Sequence, residues 1–175
     1  MSTLKIAVGA VGLAFVAANA FAAEGPGLGK PITPAELAPW DISIMPDGTG
    51  LPAGSGTAKQ GEPIFQAKCS SCHGEKGTGG IAAAVTAGPP KASLDGGKTI
   101  ANFWPYATTV FDFIRRAMPY NAPKSLSDQE VYALTAYLLS LNKLIGENDV
   151  INAQTLPKVK MPNKDNFIIR FPERI

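Results

Sequence analysis

The chain of 175 residues contains two cysteines and one histidine, and all three lie within five consecutive positions. They are Cys69, Cys72 and His73, in the sequence Cys-Ser-Ser-Cys-His. Residues three and four apart share one face of a helix, so both sulfurs and the imidazole would point the same way. A zinc site would need further Cys or His ligands, which the chain lacks. A thioredoxin-like pair would sit in a βαβ pattern, and a disulfide alone would leave His73 unexplained.

The spacing C-x-x-C-H is the attachment signature of c-type haem. On one helical turn, Cys69 and Cys72 can bond the two vinyl groups along one haem edge, and neutral His73 can bind the iron. The sequence therefore predicts one covalently bound haem c, with His73 as the proximal ligand.

Because the chain has no second histidine, the sixth ligand of the iron is methionine, another weak donor, or no residue at all. Met118 follows a predicted short helix over 108–117, which we expect to begin at Thr109 as N-cap. Its apolar positions have the i, i+3, i+4, i+7 spacing of a buried stripe: Val110, Phe113, Ile114 and Ala117. Pro119 favours an extended conformation at Met118, which would hold the thioether on a stiff loop. We therefore predict that Met118 is the distal ligand.

Met45 and Met161 also precede prolines, but they lie in segments rich in Pro and Gly with no amphipathic helix beside them. For these two side chains we expect gap-filling apolar contacts instead of ligation.

Two further helices are predicted on either side of these features. One ends in the haem motif and carries Gly61 and Phe65 on one face. The other begins at Ser127, with Glu130 completing a capping box, and its buried stripe comprises Val131, Leu134, Leu138 and Leu141.

With these helices, the segment from Gly61 to Leu144 resembles a class I cytochrome c. The resemblance implies a mainly α fold with three main helices around one covalent haem. It also implies that the first and last helices cross at Gly61, beside Phe65 and Tyr137. The resemblance also implies roles for loop residues. Pro89 or Pro90 would accept a hydrogen bond from the His73 ring. Trp104 and Tyr106 are candidates to bond a haem propionate; the alternative is that they are amphipathic aromatics at the edge of the core.

Residues 1–23 have the pattern of a secretory signal peptide. Lys5 precedes an apolar run over 6–18, and small residues allow cleavage at Ala18-Asn19-Ala20 or Ala20-Phe21-Ala22. The run is shorter than the roughly 20 residues of a membrane-spanning helix, although a retained segment would be an anchor. We therefore expect export to a bacterial periplasm.

The haem domain is predicted over residues 61–145, with long irregular arms over 24–60 and 146–175. The composition fits a small domain with long irregular arms. The chain has 18 glycines and 15 prolines, and 17% of its residues are charged, against about 25% in average proteins. Arms of this length either wrap their own domain or bind another protein. A formal charge of +2, with no long run of Lys or Arg, argues against binding to nucleic acid.

The stretches over 104–119 and 127–137 are similar to a narrower group, the cytochrome c subunits of periplasmic sulfite and sulfane dehydrogenases. This resemblance implies an electron-transfer protein, not itself an enzyme, that works beside a molybdopterin catalytic subunit and a downstream cytochrome or oxidase. A single C-x-x-C-H makes this chain a one-haem version. The alternative is a free shuttle between another periplasmic dehydrogenase, such as a quinoprotein, and a terminal oxidase.

Overall fold

The structure is a computed structural model that describes residues 28–86, 97–168 and 170. It is mainly helical, as predicted. The described helices are α1 (Pro34–Leu37), α2 (Ala58–Lys68), α3 (Ser70–His73), α4 (Ile100–Phe103), α5 (Ala107–Ala117) and α6 (Asp128–Leu141), followed by two 3₁₀ turns (Leu156–Lys158 and Lys164–Asn166). The strands β1 (Ser55–Gly56) and β2 (Ile151–Asn152) form one short antiparallel pair. None of the helices described here is long and apolar enough to cross a bilayer.

Helices α2 and α6 cross at Gly61, which is buried. A Cβ atom at this position would overlap the carbonyl of Ala133 and lie 2.8 Å from Cβ of Tyr137, so only glycine allows this approach. One turn further along α2, the ring centroids of Phe65 and Tyr137 lie 5.3 Å apart. The predicted crossing of the first and last helices at a glycine beside an aromatic pair is confirmed.

Helix α6 begins as predicted, with Ser127 as its N-cap. The Glu130 amide lies 3.3 Å from the Ser127 hydroxyl, and the Ser127 amide donates to the Glu130 carboxylate at 2.8 Å. Of the predicted stripe, Leu141 is only half-buried, but burial elsewhere extends well beyond the stripe, because every residue from 131 to 139 is buried. This helix is therefore the centre of the core and not an amphipathic surface helix.

Helix α5 ends at Ala117 as predicted but begins earlier than predicted. Its N-cap is Tyr106, and the expected cap, Thr109, lies inside the helix. The residue three positions later, Asp112, forms an ion pair with Arg116 at 2.8 Å instead of capping a helix end. Tertiary packing extends this end of the helix, because Thr108 is buried within it.

Parts of both predicted arms pack around the haem domain. Strands β1 and β2 pair Gly56 with Ile151 and so join the two arms. From the C-terminal arm, Ile151, Leu156 and Met161 are buried in the core. The Tyr132 hydroxyl donates to the Pro52 carbonyl at 2.8 Å. The segments 41–56 and 146–163 therefore belong to the folded body.

The two remaining methionines differ from each other. Met161 is buried in the core, which confirms its predicted role as a gap-filling residue. Met45 is 43% exposed, so the same prediction for Met45 is wrong. Its backbone instead closes a turn, in which the Met45 amide donates to the Thr49 carbonyl at 2.9 Å.

The described residues 28–40 belong to a unit separate from the folded body, which begins at Asp41. Helix α1 begins at the N-cap Thr33, whose capping box with Glu36 is complete. Apolar side chains in this segment are exposed, among them Leu28, Ile32, Leu37 and Trp40. The predicted signal peptide over 1–23 lies outside the described residues, so it stays a prediction.

Candidate haem site

The C-x-x-C-H motif forms one helical turn directly after α2. The amides of Cys72 and His73 both donate to the Cys69 carbonyl, at 3.1 and 3.0 Å. The two thiols are not joined in a disulfide; Cys69 is half-buried and Cys72 is exposed. Burial raises the pKa of the Cys69 thiol, and the charge of neighbouring Lys68 partly opposes this effect. Both predicted attachment residues and the predicted iron ligand thus share one turn.

The loop after His73 folds back on the motif through glycines. Gly74 and Gly77 have φ values of 82° and 73°, which side chains other than glycine rarely adopt. A Cβ atom on Gly80 would overlap the carbonyl of Cys72. The Ala82 amide donates to that same carbonyl at 2.8 Å.

This folded loop provides a partner for the histidine ring. Nδ1 of His73 lies 2.9 Å from the carbonyl oxygen of Ala83, at hydrogen-bonding distance. With Nδ1 as the donor, Nε2 is left with its lone pair, as a ligand to iron requires.

Beside this turn lies an open cavity with a volume of about 860 Å³. This volume lies near the upper end of the range of about 300–1,000 Å³ for small-molecule sites. Cys69, Cys72, His73 and Met118 all line it. Most of the remaining wall is apolar and includes Phe65, Val85, Ile100, Trp104, Val110, Phe113, Ile114, Leu126, Leu134 and Leu138.

Met118 reaches this cavity from the C-terminal end of α5. Its amide donates to the Ile114 carbonyl at 3.1 Å, which closes the last turn of the helix. Its φ and ψ angles are −119° and 148°, so the extended conformation predicted from Pro119 is confirmed.

The apolar stripe of α5 forms part of the cavity wall. Val110, Phe113 and Ile114 line it, whereas Phe111 packs on the other side against Tyr132, with ring centroids 4.5 Å apart. The prediction that Phe113 is buried is wrong for this structure, where it is 45% exposed. An amphipathic pattern shows which face is apolar but not whether protein or a cofactor covers it.

These residues fit a covalently attached haem. Two thiols stand on one helical turn with an imidazole, and a thioether lines the same apolar cavity. Cys69 and Cys72 would form the thioether links, and His73 and Met118 would bind the iron. When bound, haem c supplies one-electron redox chemistry at its iron.

The family model for cytochrome c matches residues 58–142. A chain of "Crystal Structure of the Sulfane Dehydrogenase SoxCD from Paracoccus pantotrophus" matches at 33% sequence identity with a TM-score of 0.77. That match covers 85% of this chain and 74% of the other chain. The chain belongs to the cytochrome c family. It therefore carries covalently bound haem c and transfers electrons. A search of curated proteins gave no significant match.

The two aromatic residues of this cytochrome that are predicted to contact a haem propionate, Trp104 and Tyr106, line different cavities. Trp104 lines the haem cavity, where its ring packs edge-on against Phe113 with centroids 5.5 Å apart. Tyr106 lines a second, smaller pocket of about 270 Å³, together with Asp47 and Lys164. The structure thus brings Trp104, but not Tyr106, to the cavity that the haem ligands line. Both propionate contacts stay predictions.

The predicted proline acceptors for His73, Pro89 and Pro90, lie outside the described residues. The acceptor that the structure gives is Ala83, which the sequence reasoning missed. Every residue type has a backbone carbonyl, so no sequence signal identified Ala83 as the acceptor. The closest available signal was the density of glycines between positions 74 and 80, which indicates a tight turn beside the motif.

Proposed function

We propose that this cytochrome c is the electron-transfer subunit of a molybdenum-dependent dehydrogenase that oxidises sulfite or a sulfane compound. Its haem would accept electrons one at a time from the catalytic subunit and pass them to a downstream cytochrome or oxidase. In this role the cytochrome supplies a redox centre but no catalytic residue.

The observation that carries this proposal is the extent of the similarity to the chain from the sulfane dehydrogenase structure. The cytochrome c family model covers residues 58–142, whereas the structural match covers 85% of the chain. It therefore includes arm residues that a haem domain alone does not need. Parts of the arms also belong to the folded body, with Ile151 and Leu156 of the C-terminal arm buried. A shared arrangement of domain and arms is a stronger indication of a shared role than the haem domain by itself.

The ligand set supports a carrier over a substrate-binding haem. With His73 and Met118 both on the iron, no position is left open for oxygen, peroxide or another substrate. Methionine ligation also raises the reduction potential, which suits an acceptor of electrons from a dehydrogenase.

Export to the periplasm is part of the proposal. It rests on the signal-like pattern over 1–23 and on the covalent haem motif. Together with the similarity to the sulfane dehydrogenase chain, these features support a subunit working outside the cytoplasm.

The test is a gentle purification of the tagged protein from the periplasm of its source organism. We expect molybdenum to elute with haem iron at a fixed ratio, and sulfite or thiosulfate to reduce the haem in that fraction. The cytochrome purified alone and mixed with the same compounds is the control, since it should stay oxidised. A molybdenum-free monomer that a different dehydrogenase reduces would overturn the proposal in favour of a free shuttle.

A further inference from the structure

The C-terminal end of α6 is connected to the loop that follows the haem motif by the side chain of Asn142. Its Nδ2 atom donates to the Leu138 carbonyl at 2.8 Å and to the Val85 carbonyl at 3.1 Å. A side-chain amide has two N–H groups, so both donors are used. One of these two bonds spans 57 positions in the sequence. Asn142 therefore joins the central helix of the core to the loop beside the haem cavity.

Val85 lies two residues after Ala83, whose carbonyl faces the His73 ring. The Val85 amide donates to the Gly77 carbonyl at 2.8 Å, and the Ala82 amide donates to the Cys72 carbonyl at 2.8 Å. The chain is thus held on both sides of Ala83. On the far side, the Asn142 amide adds a hydrogen bond from the core helix to this short segment, beside the packing of the Val85 side chain against the core.

The end of α6 does not depend on this side chain alone. The Leu144 amide donates to the Leu139 carbonyl at 3.0 Å, and the Lys143 amide donates to the Ser140 carbonyl at 2.8 Å. Lys143 has a φ of 59°, as in a left-handed helix end. Because the backbone closes the helix by itself, the bond from Asn142 to Val85 has an effect separate from capping.

We propose that Asn142 is a positioning residue for the proximal histidine. By holding Val85, it fixes the Ala83 carbonyl against Nδ1 of His73 and so sets the orientation and basicity of the imidazole. A hydrogen bond from the outer ring nitrogen raises the basicity of a histidine ligand and stabilises the oxidised, more positive metal. Asn142 therefore lowers the reduction potential of the haem without touching the iron.

The test uses the haem-loaded protein with the substitution Asn142→Ala, which removes both donors and adds no charge. We expect the midpoint potential to rise, because the imidazole loses part of its electron donation. We also expect the His73 ring N–H to exchange faster with solvent, as measured by NMR on the reduced protein. The ring-proton exchange is independent of electron-transfer activity.

The matched control is Asn163→Ala, since Asn163 also donates its side-chain amide to a distant carbonyl, that of Phe103, at 2.7 Å. It should lower stability without changing the potential or the ring-proton exchange. If Asn142→Ala does not yield loaded protein, Asn142→Gln keeps the amide on a longer side chain and should give an intermediate potential. Wild-type potential and wild-type ring exchange in the Asn142 variant would overturn the proposal.

Discussion

At the scale of single residues, the prediction of the distal ligand depends on which methionine lines the haem cavity. Three methionines lie in the described part of the chain, and Met118 lines the cavity. Met45 is exposed, and Met161 is buried among core side chains. These surroundings support Met118 as the ligand.

Met118→Ala should remove the sulfur-to-iron charge-transfer band from the absorption spectrum of the oxidised protein. It should also lower the midpoint potential, because methionine ligation raises it. Met161→Leu is the control: it alters a buried methionine outside the cavity wall and should keep the band. A band that persists in the Met118 variant would mean that another donor binds the iron.

The residues of this site were predictable from sequence to different degrees. Cys69, Cys72 and His73 could be found because side-chain chemistry and spacing are both visible in the sequence. Ala83 could not, since its contribution is a backbone carbonyl. Trp104 lines the haem cavity and Tyr106 the smaller pocket, a difference that the sequence does not show because the two aromatic residues stand only two positions apart.

At the scale of elements, α2 and α6 are connected at the haem motif by an ion pair. Nζ of Lys68, the residue before Cys69, lies 2.7 Å from Oε1 of Glu130 in the first turn of α6. The bond from Lys68, together with those from Ser127, lowers the pKa of Glu130 below its ordinary value of 4.5. Because the folded-state pKa is lowered, the stabilisation is present above about pH 4.5 and disappears as the pH falls through the folded value.

Glu130→Gln should remove the ion pair while keeping the capping box, which accepts Gln as well as Glu at this position. We expect a loss of about 0.5 kcal/mol in the free energy of unfolding at neutral pH, because the pair is partly exposed. This loss is measured by denaturant unfolding of the loaded protein at several pH values. The difference in the free energy of unfolding between the variant and wild type should vanish in acid. Lys68→Met should show the same pH dependence. A difference independent of pH would point to lost helix capping instead.

The elements themselves were predictable where the signal is local. The capping box at Ser127 predicted the start of α6 correctly, and Pro119 predicted the extended conformation of Met118 after α5. The start of α5 was predicted too late, with Thr109 as the N-cap, because the sequence does not show that Thr108 is buried by tertiary packing inside the helix. The crossing at Gly61 was predicted through the family resemblance, since a glycine alone does not indicate what approaches it.

At the scale of the whole molecule, the folded body is larger than the haem domain that the sequence predicts. Sequence alone left open whether the arms wrap the domain or bind a partner, because their apolar residues have no helical or strand periodicity. In the structure, β2 and the following turn supply core residues, and Asn163 donates to the Phe103 carbonyl at 2.7 Å. Residues on both sides of the predicted domain boundary at residue 145 thus belong to one hydrophobic core.

The core role of the C-terminal arm can be tested at Leu156, whose side chain is fully buried. Leu156→Ala should lower the free energy of unfolding of the loaded protein by about 2–5 kcal/mol, as truncation of buried leucines does. Ile168→Ala, in the same arm but 94% exposed, is the matched control and should change it by less than about 0.5 kcal/mol. Equal, small effects at both positions would mean that the arm is not part of the core in solution. Because Leu156 does not line the haem cavity, its variant should also keep the wild-type spectrum, which separates the stabilising role of the arm from that of the haem ligands.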